Sequence, residues 1–314
     1  MNRPRISIVT ATYNRSQVRR HSIASVRAQR VTDWELVVVG DACTDDTEAV
    51  VTGFDDPRIR FHNLPHNIGE QSGPNNAGVE LATGDLVAFL NHDDLWLADH
   101  LEHLVAAIDR TPADLVFSLM ASIIPGRPPI LGNFSPSGVY EPRVVVPASS
   151  WLFRRTLWNA VGRWRSHREC YQAPSQEWLL RAWRHGAALR MVPALTVIAL
   201  PSGYRRGSYT TRDDSEHACY AGRLESDPAL REQLLLEVAL AQAAGAPDSL
   251  GAFATTSYVR RGAGNILRAG MSRLGIPPAA VSLALRYGRK GRFIHALRQI
   301  SGLPSTPHER SRQA

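Results

Sequence analysis

The first half of the chain alternates short β-branched runs with amphipathic stretches, and this pattern constrains the fold most. Ile6–Thr10 and Trp34–Val39 have the composition of buried strands, and apolar residues at helical spacing follow the first of them. Further strand-like runs lie at 59–64, 86–90 and 114–121. Strands that alternate with helices predict a mostly parallel sheet with crossover helices, so we expect a Rossmann-like α/β fold.

The composition excludes several other classes of protein. Of the 314 residues 44% are hydrophobic and 21% are charged, as in ordinary globular proteins. No apolar run is long enough to span a bilayer, and the N-terminal stretch lacks the apolar region of a secretory signal. Cys43, Cys170 and Cys219 are widely spaced, so neither a disulfide framework nor a zinc site is predicted. We therefore expect a cytoplasmic protein.

The net charge of +7 comes from the C-terminal part of the chain. From Tyr258 onward there are 11 Arg or Lys residues and one acid, Glu309. Ile266–Ile300 sets apolar residues among arginines at helical spacing, and we expect residues 223–314 to form a helical basic extension. Two interpretations stay open: peripheral contact with the inner face of a membrane, or packing on the main domain or in a homodimer. No nucleic-acid-binding motif is present.

Polar residues follow three of the predicted strands: Thr10–Asn14, Asp41 and Asn91–Asp94. In an open parallel sheet, ligands bind beyond the carboxyl ends of the strands, so we expect these three turns to share one edge. Carboxylates that converge there suit a divalent cation together with a diphosphate ligand. Oxygen ligands favour Mg²⁺ or Mn²⁺.

Four ordered motifs, ISIVTATYNR, ELVVVGDACTDDT, HNIGEQSGPNNAG and TGDLVAFLNHDDLW, resemble those of the family 2 glycosyltransferases. The resemblance covers roughly residues 5–205 and implies a GT-A catalytic domain over 1–222. The nucleotide-sugar half would take up about 1–121 and the acceptor half about 122–222. The implied activity is metal-assisted transfer of a sugar from a nucleoside diphosphate donor to an acceptor hydroxyl, generally with inversion. The acceptor would be a saccharide, a lipid-linked intermediate or a natural product.

The resemblance also implies a role for individual residues on the donor side. Asp41 would hydrogen-bond the base, and Asp93, in the place of the family's D-x-D motif, would bind the metal. Asn91 stands where an Asp is usual, and Asn75 stands where the family often has Arg. With Asn75, a cation contact to the diphosphate or the base would be missing, or would be supplied by Arg205 or Arg206. The implied donor-binding residues are Thr10, Ala11, Tyr13, Asp41, Asn75, Asn91, His92 and Asp93.

On the acceptor side, the segment SQEWLLR resembles the family's Glu-Asp-Trp motif. Glu177 would then be the catalytic base that deprotonates the acceptor hydroxyl. Asp94 and Trp178 would face the acceptor, and His217 would be a second metal ligand. Each has a purely structural alternative: Asp93 and Asp94 as helix caps, Glu177 as a first-turn acid, Trp178 as a core residue and His217 as a solvated loop residue.

Two other functions stay open from the sequence. A nucleotidyltransferase can share this fold class, but it should carry a basic glycine-rich loop after the first strand, where this chain has Ala11–Asn14. A catalytically silent nucleotide-sugar-binding protein would tolerate the departures at Asn75 and Asn91.

Overall fold

The computed structural model describes residues 3–244 and 268–303, and a nine-stranded sheet runs through this part of the chain. Its first four strands are parallel, in the order β3-β2-β1-β4, with helices between them. These elements are β1 (Ile6–Thr12), α1 (Ser16–Arg27), β2 (Trp34–Gly40), α2 (Thr47–Thr52), β3 (Ile59–Asn63), α3 (Ser72–Leu81) and β4 (Leu86–Phe89). The predicted α/β fold is confirmed.

The sheet continues as β4-β8-β6-β9-β5 and becomes mixed. β8 is antiparallel to β4 and to β6, β9 is parallel to β6, β5 is antiparallel to β9, and β7 is antiparallel to β6. The elements are β5 (Asp94–Trp96), α4 (His100–Arg110), β6 (Leu115–Ser122), β7 (Ile130–Gly132), β8 (Trp151–Arg154), α5 (Arg155–Val161), α6 (Pro174–Arg184) and β9 (Leu189–Ala199). The sequence pattern does not predict β5, β7, β8 or β9.

The remaining helices are α7 (Ser208–Thr211), α8 (Ser215–Ser226), α9 (Leu230–Ala243), α10 (Pro278–Tyr287) and α11 (Arg292–Ile300), with a further helical segment at 268–273. α9 buries Leu230 and Leu234 against apolar side chains of β5, β6 and β9. Parts of the basic tail, 245–267 and 304–314, lie outside the described residues. The division into two units at residue 222 stays a prediction. Within the described ranges no helix is long and apolar enough to cross a membrane.

Apolar side chains cover both faces of the sheet. Ile6 and Ile8 of β1 point to one buried cluster, and Val9 points to the other. On the second face α3 packs close to β1, since a Cβ added at Gly78 would lie 2.3 Å from Cγ1 of Val9. Burial at this density on both faces explains why β1 and β2 are continuous apolar runs. The packing on both faces also fixes the positions of the strand ends, and the polar turns lie at those ends.

Candidate active site

A cleft with a volume of about 370 Å³ opens at the carboxyl ends of β1, β2 and β4. This volume lies in the range of small-molecule sites. The three polar turns meet there, as the sequence predicts. They are joined by the segment after β9 and by α11, and the lining includes Ala11, Thr12, Tyr13, Asp41, Gly69, Glu70, Asn91, His92, Asp93, Asp94, Ser202, Tyr209 and Arg298.

Asp41 follows β2 and joins that strand to the turn before α3. The backbone N–H groups of Ile68 and Gly69 donate to its two carboxylate oxygens at 2.7 and 2.8 Å. The side chain of Asn67 donates to its carbonyl at 2.8 Å. Burial raises the pKa of Asp41 above its ordinary value, although the two amide bonds oppose this shift. The second and third sequence motifs are thus joined at the cleft wall.

Asp93 is held by a residue from the far side of the cleft. Ser202 donates its backbone N–H at 2.8 Å and its hydroxyl at 2.6 Å to Oδ2 of Asp93. Burial disfavours the ionised form, but the electrostatic interaction with His92, when that ring is protonated, and the two bonds from Ser202 act in the opposite direction. The pKa of Asp93 therefore lies well below its usual range. Asp93 is a carboxylate at neutral pH.

Asp94 begins β5, and its pKa is shifted in the opposite direction from that of Asp93. Its Oδ2 accepts hydrogen bonds from the hydroxyl of Ser149 and, at 2.9 Å, from the side chain of Asn91. Burial and the neighbouring charge of Asp93 raise the pKa of Asp94 to about 7. Asn91 lines the cleft, but its amide group is turned toward Asp94.

Two histidines flank Asp93. Nε2 of His92 lies 3.1 Å from the hydroxyl of Tyr209, and burial lowers the pKa of His92 to about 4. His217, on α8, is also buried, and Nε2 of its ring has no hydrogen-bond partner within the described residues. Burial lowers the pKa of His217 to about 4 while the charge of Asp93 opposes the shift. His217 is therefore a buried helical residue and not part of a solvated loop.

These residues fit a cation that is shared with donor phosphates. Among the described residues no three or more His, Cys, Asp or Glu side chains are arranged to hold a metal alone. A small divalent cation on a diphosphate needs only one or two carboxylates from the protein. The ionised Asp93 would be such a carboxylate. Its charge also acts on His217, which lies outside the cleft lining and whose Nε2 has no hydrogen-bond partner within the described residues.

Three residues expected to contact ligands lie in the interior instead. The hydroxyl of Thr10 donates to the carbonyl of Leu90, and Asn75 is buried in α3. Trp178 is fully buried among aromatic rings, and its indole N–H donates to the carbonyl of Gly162 at 2.7 Å. None of the three lines the cleft, so the ligand contacts expected for Thr10, Asn75 and Trp178 do not agree with their positions.

Glu177 also lies away from the cleft lining. Its carboxylate accepts hydrogen bonds from Arg181 at 3.0 Å and from Arg165 at 3.1 Å. The cleft is reached by Pro174 at the start of the same helix, α6. The structure therefore brings Asp41 and Asp93 together but does not bring Glu177 to them. Its role as a base stays a prediction.

The expected replacement cation is engaged elsewhere. Arg205 forms an ion pair with Glu216 at 2.7 Å and donates to the carbonyl of Pro201 at 3.0 Å. Neither Arg205 nor Arg206 is part of the cleft lining.

Sequence reasoning missed two charged residues of the cleft. Glu70 follows the turn at Gly69, and its side chain is only 2% exposed beside Ser72 and His167. Arg298 comes from α11, and its guanidinium donates to the carbonyl of Gly69. Glu70 lies inside the third motif and could have been suspected. Nothing in the sequence indicates that the tail folds back to bring Arg298 here.

Comparison with known sequences agrees with this geometry. Residues 7–133 match the model of Glycosyl transferase family 2. The chain is 36% identical over 97 residues to the UDP-Glc:alpha-D-GlcNAc-diphosphoundecaprenol beta-1,3-glucosyltransferase WfgD of Escherichia coli, which covers 31% of this chain and 38% of that protein. It is 34% identical over 156 residues to the succinoglycan biosynthesis protein ExoO of Rhizobium meliloti, covering 48% and 44%. The chain spans less than half the length of each of these relatives.

Solved structures extend the likeness to most of the chain. Staphylococcus aureus TarS 1-349 in complex with UDP-GlcNAc is 18% identical with a TM-score of 0.54, over 91% of this chain and 92% of that one. The mannosyltransferase PcManGT of Pyrobaculum calidifontis, in complex with GDP-Man and Mn²⁺, is 17% identical with a TM-score of 0.53, over 91% and 87%. The protein has the GT-A fold of the nucleotide-sugar glycosyltransferases. Over residues 7–133 the sequence is similar to glycosyl transferase family 2.

Proposed function

We propose that this protein transfers a sugar from a nucleoside diphosphate donor to a hydroxyl group of an acceptor. The observation that carries the proposal is that Asp41 and Asp93 line one cleft with Tyr13, at the edge of the sheet where α/β proteins bind ligands. The names of relatives support it, since two of them are glucosyltransferases that act on saccharides linked to undecaprenol diphosphate.

The donor base would lie between Ala11, Tyr13 and Asp41. Each oxygen of a carboxylate has two acceptor positions, so Asp41 can accept a ring N–H of a base while it keeps the amides of Ile68 and Gly69. Its two oxygens are already oriented by those amides, which lowers the entropy cost of binding.

Asp93, with His217 behind it, would hold a divalent cation, Mn²⁺ or Mg²⁺. When bound, that cation would neutralise donor phosphate charge and stabilise the leaving group. The part of the chain itself is to keep Asp93 ionised through the two hydrogen bonds from Ser202.

Transfer with inversion needs a base for the acceptor hydroxyl. We propose Glu177, because it takes the place of the family's catalytic base. It would have to leave Arg165 and Arg181 to reach the cleft. Asp94 is the alternative, because it already lines the cleft.

The acceptor class we propose is a saccharide on a lipid diphosphate, as named for the two glucosyltransferase relatives. The basic tail would then support peripheral contact with an anionic membrane. The alternative role of the basic tail is to form a homodimer through the C-terminal helices.

The test is a calorimetric screen of UDP, dTDP and GDP with Mn²⁺, followed by an assay for hydrolysis of the matching sugar donors. Binding of one nucleotide together with slow hydrolysis supports the proposal. Binding without hydrolysis or transfer would favour a silent nucleotide-sugar-binding protein, a candidate suggested by the ion-paired state of Glu177. Binding of none would overturn both.

A further inference from the structure

Acidic side chains outnumber basic side chains in the lining of the cleft. Four acidic side chains line it, Asp41, Glu70, Asp93 and Asp94, although burial raises the pKa of Asp41 and of Asp94. Among the described residues of the lining, the one Arg or Lys side chain is Arg298. The phosphates of a nucleoside diphosphate are anionic, so this lining repels them unless cations balance the carboxylates. The charge of Arg298 acts on Asp41 and opposes the effect of burial on the pKa of that carboxyl.

Arg298 is held in place by its helix and by the turn below it. Ile294, Leu297 and Arg298 are three and four positions apart on α11, so they share the face that lines the cleft. The guanidinium donates to the carbonyl of Gly69, next to the amide that binds Asp41.

The two ends of α11 are fixed to the catalytic part of the chain. At its start, the N–H of Gly291 donates to the carbonyl of Cys170 at 2.9 Å. At its end, the N–H groups of Gly207 and Tyr209 donate to the carbonyls of Ile300 and Ser301 at 2.9 and 3.0 Å. With the helix so fixed, the cleft still has a volume of about 370 Å³. The helix is therefore a wall of the cleft and does not fill it.

We propose that Arg298 binds the diphosphate group of the donor, so that α11 completes the donor site. This inference rests on the proposed function. Arg298 lies in a part of the chain outside the matched family region, which ends at residue 133. A guanidinium suits this task because its fork of N–H groups can bind phosphate oxygens in pairs.

The experiment compares two full-length variants, Arg298→Gln and Arg292→Gln. Arg292 begins the same helix but is exposed and lies outside the cleft lining, so it is the matched control. Calorimetry gives the Kd of the nucleoside diphosphate that the wild type binds, and ligand-observed NMR gives the Kd of the corresponding nucleoside, which has no phosphate. We expect Arg298→Gln to weaken the diphosphate about 10- to 100-fold and the nucleoside less than about twofold. Arg292→Gln should change neither.

Several results would overturn the inference. If the wild type and Arg298→Gln bind the diphosphate with equal affinity, Arg298 does not contact the phosphates. If Arg298→Gln loses as much affinity for the nucleoside as for the diphosphate, Arg298 has only a structural role. Tighter binding by the variant would mean that α11 obstructs the cleft. If Arg298→Gln does not fold, Arg298→Lys replaces it, because lysine keeps the charge. Its Kd for the diphosphate should then be weaker than that of the wild type. A wild-type Kd in Arg298→Lys would contradict binding of phosphate oxygens in pairs by the guanidinium. A wild type that binds no nucleoside diphosphate overturns the proposed function itself.

Discussion

Ser202 donates both its backbone N–H and its hydroxyl to Oδ2 of Asp93, although the two residues are 109 positions apart. Antiparallel pairing of β5 with β9, in register Asp94 to Ala199, brings the chain after β9 back over Asp93. The orientation and charge of the expected metal ligand are therefore set by the second half of the chain.

Replacement of Ser202 by Ala should weaken donor binding in the presence of Mn²⁺ by about 3- to 10-fold, because Asp93 loses one of its two bonds from this residue. Titration calorimetry measures the effect. Ser226→Ala is the control, since Ser226 is exposed on α8 and its hydroxyl bonds only within that helix. An unchanged Kd in Ser202→Ala would contradict the role assigned to this hydroxyl.

Replacement of Asp93 by Asn should remove the dependence of donor binding on the metal. The wild type is expected to bind the donor more tightly with Mn²⁺ than with a chelator, and Asp93→Asn should give the same Kd in both conditions. The physical reason is that a neutral amide is a much poorer ligand for a hard cation than a carboxylate. A variant that still responds to Mn²⁺ would show that Asp93 is not the ligand.

Glu177→Gln should lower the rate of transfer about 10²- to 10⁴-fold and leave donor affinity nearly unchanged, since a base acts only in the chemical step. Product formation is measured together with calorimetry. The matched comparison is Asp94→Asn, which changes the other candidate carboxylate. Transfer at the wild-type rate in Glu177→Gln, with loss in Asp94→Asn, would assign the base to Asp94.

Acidification should lower the stability of the protein partly through His100. Nδ1 of its ring lies 2.7 Å from the hydroxyl of Thr196, and the ring stacks on Trp96. Burial lowers the pKa of His100 to about 3, with the charge of Asp99 opposing the shift and His103 adding to it. The unfolded chain has a pKa of about 6.5 at this residue. Between these values the unfolded state binds a proton that the folded state does not, so stability falls as the pH falls.

Urea unfolding at pH 7 and pH 5 tests this effect. The contribution of one such histidine is at most about 1.4 kcal/mol per pH unit. His100→Gln should therefore lose less stability on acidification than the wild type. His66→Gln, at an exposed position, is the control and should follow the wild type. A variant at His100 with the full wild-type pH dependence would contradict the assignment.

The four parallel strands could be predicted because strands buried on both faces are continuous apolar runs. β5 could not, since three residues carry no periodic signal and its partner β9 lies about one hundred positions later. The motifs predict the positions of Asp41 and Asp93 at the cleft. A motif does not tell which way a side chain faces, so the interior positions of Thr10 and Trp178 could not be predicted from it. The position of Arg298 depends on tertiary packing alone.

The cleft contains Ala11 near one end of the described chain and Leu303 near the other. During synthesis on the ribosome, which releases the N-terminal part first, the carboxylates after β2 and β4 emerge long before the helix that faces them. A nascent chain that has exposed Asp41 and Asp93 still lacks Arg298. With the role proposed for Arg298, full affinity for a nucleoside diphosphate would be reached only after translation has passed α11.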